Sequence, residues 1–294
     1  MNEIKLFVES VRSKLSGRRD TPSTSAEGLE PVCEESPTRK LFAPSPWLCG
    51  ITDVGKCRSN NEDEFFLSAE YGLWVVADGM GGQAAGEVAS TLTVQAIVES
   101  VTAMRPASKE NAAVCAADRL IEAFGNAQDK VSLRSLDTEC SGMGSTAIAA
   151  LLEGDALHIC HVGDVRCYHF DGTRSTQVTH DHSWVWENLV MSGLLSAEQG
   201  RSHPERGKVT RAIGRQQGIN PDLTSITLKP GDRVLLCTDG LWEALSSEEI
   251  AAILRSEGSM RQLASVLADR ANAAGGEDNI TVVLYEHGHA CSSS

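Results

Sequence analysis

Residues 75–82 read VVADGMGG. Together with Leu73 and Trp74 they form a short, unbroken apolar run, the pattern of a strand buried on both faces. The run ends in Asp78, followed at once by Gly79, Met80, Gly81 and Gly82. A carboxylate at the tip of a buried strand is costly unless a cation or donor meets it. The glycines leave room for backbone to approach whatever that partner is.

Asp78 has companions. LLCTDGLWE places Asp239 at the end of another apolar run, HICHVGDVR places Asp164, AGGEDNITVV places Asp278 just before a strand, and RSNNEDEFF places Glu62 and Asp63 before an aromatic pair. Singly, an aspartate at a strand end reads as a turn former. Five such places on strands of one core point to a shared partner, and the chain offers no matching lysines or arginines beside them. The donors are all oxygens, which favours Mg²⁺ or Mn²⁺ over zinc. A carboxylate shared between two such ions holds them about 3.5–4 Å apart and makes a bridging water acidic. Arg58, four residues before Glu62, could give a bidentate fork to a phosphoester; alone it would read equally as a surface ion pair.

The chain has 294 residues, 41% of them hydrophobic, enough for one large domain or two small ones. The net charge is −14, and residues 1–45 hold as many acidic as basic side chains, so the excess lies beyond them. That argues against nucleic-acid binding through a basic face. No apolar run reaches the roughly 20 residues of a membrane span, and Glu3 and Glu9 interrupt the first apolar stretch, so no secretory signal or stable membrane insertion is expected. The nine cysteines are odd in number and form no CxxC pair, which fits free thiols in a reducing cytoplasm.

Residues 1–16 place Ile4, Phe7, Val8, Val11 and Leu15 at helical spacing, either a locally packed helix or a docking helix for a membrane or partner. Residues 17–45, rich in Ser, Thr, Pro and Glu, read as a flexible linker. A catalytic domain is expected over 46–288 and a tail over 289–294. Helices are expected over 83–104, 110–134, 183–200, 247–255 and 260–273. Strand pairs are expected around Gly154-Asp155, Asp171-Gly172 and Pro230-Gly231. Hairpin-linked strands with helices between groups imply an α+β fold with antiparallel sheets.

Seven elements in order, TDVGKCRSNNEDEFF, VVADGMGG, GMGSTA, HVGDVR, TRAIG, LLCTDGLWE and GGEDNITVVL, resemble the metal-dependent protein phosphatases (PPM, type 2C), in their bacterial serine/threonine branch. The resemblance implies a central antiparallel β-sandwich flanked by pairs of helices, a four-layer α/β/β/α arrangement. It implies hydrolysis of phosphoserine and phosphothreonine by a water bridging two Mn²⁺ or Mg²⁺ ions. Asp78 would bridge both ions, Glu62 and the Gly79 carbonyl would complete one, and Asp239 and Asp278 would hold the other. Asp164 would help hold a third, weaker ion, Arg58 would bind the phosphate, and Asp63 would orient metal-bound water. Residues 180–209 match a flap beside the site. Three positions depart from the pattern: Met80 stands where eukaryotic members have a proton-donating histidine, Val165 replaces a usual serine, and Gly207-Lys208 replaces an asparagine-containing pair. The expected partners are phosphorylated proteins, opposite a serine/threonine kinase, with the enzyme a monomer. The alternatives are a phosphatase of a small phosphorylated molecule, and a non-catalytic regulator on the same fold.

Overall fold

The computed structural model describes residues 2–15, 32–35, 38–81, 85–104, 115–215 and 219–289. The expected linker up to 31 and at 36–37, the start of the second helix and tail residues 290–294 lie outside them.

Two antiparallel sheets stack face to face. One has seven strands in the order β1 (Val32–Glu35), β2 (Arg39–Ser45), β3 (Leu48–Asp53), β12 (Ile280–Glu286), β11 (Arg233–Cys237), β8 (Arg166–Phe170) and β9 (Ser175–Gln177). The other has five, in the order β10 (Asp222–Thr227), β7 (Ala156–Val162), β6 (Gly144–Glu153), β5 (Leu73–Met80) and β4 (Asp63–Ser68). The α+β expectation holds, and alternation along each strand explains the layers. On β5, Trp74 and Val76 face the interlayer with Phe65, Leu67, Ile148 and Tyr285. Val75 and Ala77 face outward, under α2 (Ala85–Ala103) and α3 (Ala116–Arg134). On β12, Val283 and Tyr285 face the interlayer. Val282 and Leu284 lie in the cluster under α6 (Ser247–Arg255) and α7 (Met260–Ala273). Central strands are therefore apolar on both faces, which is why they read as unbroken runs.

Three expectations change. The domain boundary at 46 falls inside a hairpin, because Arg39–Ser45 pairs with β3 on one side and β1 on the other and joins the larger sheet; its charged and proline residues, with Pro44 at an irregularity of the ladder, made a strand look like linker. The strands on either side of Pro230-Gly231 do not pair with each other. β10 pairs with β7 and β11 with β8 and β12, so the chain crosses between sheets there. The helix expected over 183–200 breaks into a π-helical turn, Trp186–Val190, and a short α4 (Ala197–Arg201), separated by Gly193 with φ of 77°.

Helix α1 (Asn2–Leu15) packs on the domain. Val11 is buried, Phe7 meets the ring of Phe66 at 4.9 Å, and Ile4 lies against the same cluster.

Candidate active site

β3, β5, β7 and β11 all finish, and β4, β6, β8 and β12 all begin, at one end of the sandwich. Asp78 near the end of β5, Asp63 at the start of β4, Asp164 between β7 and β8, Asp239 after β11 and Asp278 before β12 therefore gather there. Asp63 and Asp78 face each other across the β4–β5 ladder. Asp63 Oδ2 accepts hydrogen bonds from Thr281 Oγ1 at 2.6 Å and Thr238 Oγ1 at 2.9 Å, both from the opposite sheet's segments. Asn279 ties the Arg58–Glu62 loop in place: its amide nitrogen donates to the carbonyls of Val54 and Asn60, and its oxygen accepts the Glu62 N–H at 2.8 Å. Gly79 donates to the Glu62 carbonyl at 3.0 Å. A side chain at Gly79 would overlap the Gly86 carbonyl, and one at Gly86 would overlap the Glu62 carboxylate, so the glycine beside Asp78 is a steric requirement of strand meeting helix.

The carboxylates perturb one another. Burial, then the charges of Asp239, Asp63, Asp164 and Asp278, raises Asp78 well above the ordinary range. Burial, then Asp164, Asp278 and Asp63, does the same to Asp239. Burial pushes Asp63 up to about 7 against the pull of the two threonines. It also pushes Asp164 up to about 7, with Asp181 adding to the rise. Glu62 is raised by burial against the neighbouring Arg58. Among the described residues, the cation paired directly with this set is Arg58, whose Nη2 lies 2.7 Å from Asp278 Oδ2 and which is half exposed. Asp164 is 2% exposed and its Oδ2 meets no hydrogen-bond partner. A buried oxygen without a donor, among carboxylates that cannot all ionise together, fits a hard divalent cation.

Every residue singled out from the sequence, Arg58, Glu62, Asp63, Asp78, Gly79, Asp164, Asp239 and Asp278, lies at this end or on the loop beside it. Met80 is half-buried and Val165 is buried. The flap docks next to the centre. Arg201 of α4 donates to the carbonyls of Trp242 and Leu245 and to Ser247 Oγ, and Arg206 pairs with Glu243 at 2.8 Å. Trp242 closes α5 (Asp239–Trp242). Its indole N–H donates to the Asp164 carbonyl at 3.0 Å, and its ring stacks on Arg166 at 3.6 Å. Arg166 in turn makes a two-pronged, buried pair with Asp181.

Sequence reasoning missed the supports: Asn279, Thr238, Thr281 and Trp242, and a group of His161, His182, Asp222 and Arg211 behind Asp164. Among the described residues, the one trio of His, Cys, Asp or Glu with ligand atoms all within 4.8 Å of one another is His161, His182 and Asp222. A buried polar residue in the apolar run HICHV was the available signal for it.

Known proteins resemble this chain in sequence and fold. The family described as Protein phosphatase 2C matches residues 56–281. The chain is 34% identical over 243 residues to the serine/threonine phosphatase stp of Listeria welshimeri, covering 80% of this chain and 93% of the relative. Among solved structures it resembles the Mycobacterium tuberculosis serine/threonine phosphatase PstP/Ppp, with a TM-score of 0.73, 34% identity and coverage of 82% and 98%. It also resembles the catalytic domain of PstP in complex with two manganese ions, with a TM-score of 0.72, 32% identity and coverage of 85% and 99%. The chain belongs to the protein phosphatase 2C family.

Proposed function

We propose that this chain is a metal-dependent protein phosphatase that hydrolyses phosphoserine and phosphothreonine. The observation that carries the reading is the gathering of carboxylates from separate segments, with mutually raised pKa values and an unpartnered Asp164 oxygen. Asp78 with the Gly79 carbonyl and Glu62 would hold one Mn²⁺ or Mg²⁺ ion, and Asp78 with Asp239 and Asp278 the second. The charge coupling of Asp164 to Asp239 supports a third, weaker position. When bound, such ions neutralise the clustered charge and bring the pKa of a water down to near neutrality.

The chain's own residues do the rest. Arg58, paired with Asp278 in the structure, would turn its fork to the non-bridging phosphate oxygens when Asp278 is engaged. Asp63, pinned by two threonines, holds the spacing to Asp78. Met80 carries no exchangeable proton, so the side chain at that position does not protonate the departing serine or threonine oxygen. The flap, fastened by Arg201 and Arg206, shapes the approach of a protein substrate. No helix among the described residues is long and apolar enough to cross a membrane. Cys49, Cys57, Cys115, Cys140, Cys160, Cys167 and Cys237 are free thiols, in keeping with a cytoplasmic enzyme. There it would act, as a monomer, opposite a serine/threonine kinase.

The test is hydrolysis of a phosphothreonine peptide and of a sugar phosphate, with EDTA and then with Mn²⁺ added back. Peptide turnover lost with EDTA and restored by Mn²⁺ is the expected result. Turnover indifferent to EDTA, or confined to the sugar phosphate, would overturn the reading.

A further inference from the structure

Asp164 stands out because its carboxylate oxygen Oδ2 is buried and unpartnered, while a backbone hydrogen bond to the group comes from Asp164's own N–H. The aim of that group is therefore set by the backbone turn on which it sits. Gly163, at φ of 103°, makes the turn from β7 towards β8, and a side chain there would overlap Thr146. A crossover between sheets leaves the Gly163 peptide groups outside either ladder, and buried peptide groups need partners. One residue supplies both. The His182 N–H donates to the Gly163 carbonyl at 2.9 Å, and the Gly163 N–H donates to His182 Nδ1 at 3.1 Å. His182 also accepts the Thr210 N–H on its own carbonyl at 2.8 Å, so it joins both stems of the flap to the Asp164 turn.

The protonation state of the ring follows from its partners. Gly163 can only donate, so Nδ1 carries the lone pair and the single proton of the neutral ring is on Nε2. That proton faces Asp222 Oδ2 at 3.3 Å. Arg211 Nη1 lies 3.1 Å from Nε2, but its two hydrogens have acceptors elsewhere, Asp222 Oδ1 at 3.0 Å and the Asn220 carbonyl at 3.3 Å, so it leaves the Nε2 proton in place. His161 stacks on the ring at 4.6 Å, with its own Nε2 bonded to the His180 carbonyl. A cation held by His161, His182 and Asp222 would need the lone pair on His182 Nε2. That would put a proton on Nδ1 against the Gly163 N–H. The trio is therefore a clamp rather than a metal site.

We propose that His182 is a positioning residue: as its Nε2–H tautomer it locks the Gly163–Asp164 turn, aiming the Asp164 carboxylate at the acidic centre and fixing the flap stems to it. The proposal rests on the phosphatase reading for its catalytic consequence, though not for the clamp itself.

The full chain is tested with H182N, H182Q and H182L. Asparagine can place its oxygen where Nδ1 stood, whereas glutamine offers its polar end nearer the Nε2 position and leucine offers none. Two readouts are followed: turnover of an aryl phosphate at saturating Mn²⁺, and hydrogen exchange of the Gly163 amide in metal-free protein. Partners that orient a metal ligand are worth about 10–100-fold, so H182Q and H182L should lose kcat by about that factor. H182N should stay within about threefold, since it keeps one neutral hydrogen bond. The Gly163 amide should exchange slowly in wild type and H182N and fast in the other two. Equal kcat in all three variants, whether high or low, or a Gly163 amide equally protected in all, overturns the proposal. Should H182L fail to fold, the contrast between H182N and H182Q decides. A wild type without turnover but with the expected exchange pattern would sink the phosphatase reading and leave the clamp standing.

Discussion

Stripping divalent ions from this protein should make its stability fall as the pH rises, and restoring Mn²⁺ should cancel that fall. The folded state raises Asp63 and Asp164 from the ordinary 3.8 to about 7 each. A raised carboxyl means that the folded protein holds its proton more tightly than the unfolded chain. Its contribution is thus fully present below about pH 4 and lost as the pH climbs through about 7. Between pH 5.5 and 8 each group gives up about 2 kcal/mol, and the pair about 4 kcal/mol. Two buried histidines run the other way. Burial pushes His182 down to about 4 and lowers His161 as well, so both withdraw stability as the pH drops below their ordinary value. They are present in loaded and stripped protein alike, so the difference between the two forms removes them. At about 2–4 °C per kcal/mol for a domain of this size, the gain in Tm on adding saturating Mn²⁺ should be about 10 °C larger at pH 8 than at pH 5.5. The assay is differential scanning fluorimetry with EDTA or Mn²⁺ at the two pH values. A gain that is the same at both, or larger at pH 5.5, would refute the claim that burial, with the neighbouring carboxylates, raises Asp63 and Asp164 in the metal-free protein.

Further tests address single residues. D239N should abolish turnover of an aryl phosphate. It should also raise the Tm of the metal-free protein, by about 2–4 °C for each kcal/mol of repulsion relieved; a lower metal-free Tm would count against it. R58A should raise KM by about tenfold or more, as expected for loss of a charge-assisted phosphate contact, with a smaller effect on kcat. G79A should destabilise the protein by about 1–3 kcal/mol through the overlap with Gly86, read as a lower midpoint in urea. F7A should cost about 1 kcal/mol through the lost contact with Phe66; an unchanged midpoint would show that α1 contributes nothing to the fold.

The acidic centre was legible because its ligand-type residues are local punctuation. Asp78, Asp239 and Asp278 each mark where an apolar run meets a turn, and that boundary can be read without knowing the neighbours. Which strand pairs with which is not local information. The runs on either side of Pro230-Gly231 have the alternation of a hairpin, yet one completes the smaller sheet and the other sits inside the larger. Arg39–Ser45 carries two basic residues and a proline, and becomes a strand because β3 and β1 pair with it on either side. His182 and Arg211 lie 29 residues apart and meet only in the fold, so their composition says nothing of their task. Trp242 drew no reading from the sequence; that its indole reaches Asp164 depends on where β7 ends in the other sheet.

The hydrogen bonds from Thr238 and Thr281 to Asp63 act as a peg between the two sheets at the catalytic rim. Substitutions that accumulate in the apolar interlayer shift stacked sheets by small amounts. With one rim pinned, that displacement is taken up at the far rim, where the turns at Asp155 and Asp232 lie. The interior can then drift widely during divergence while the gap that the chemistry depends on keeps its width.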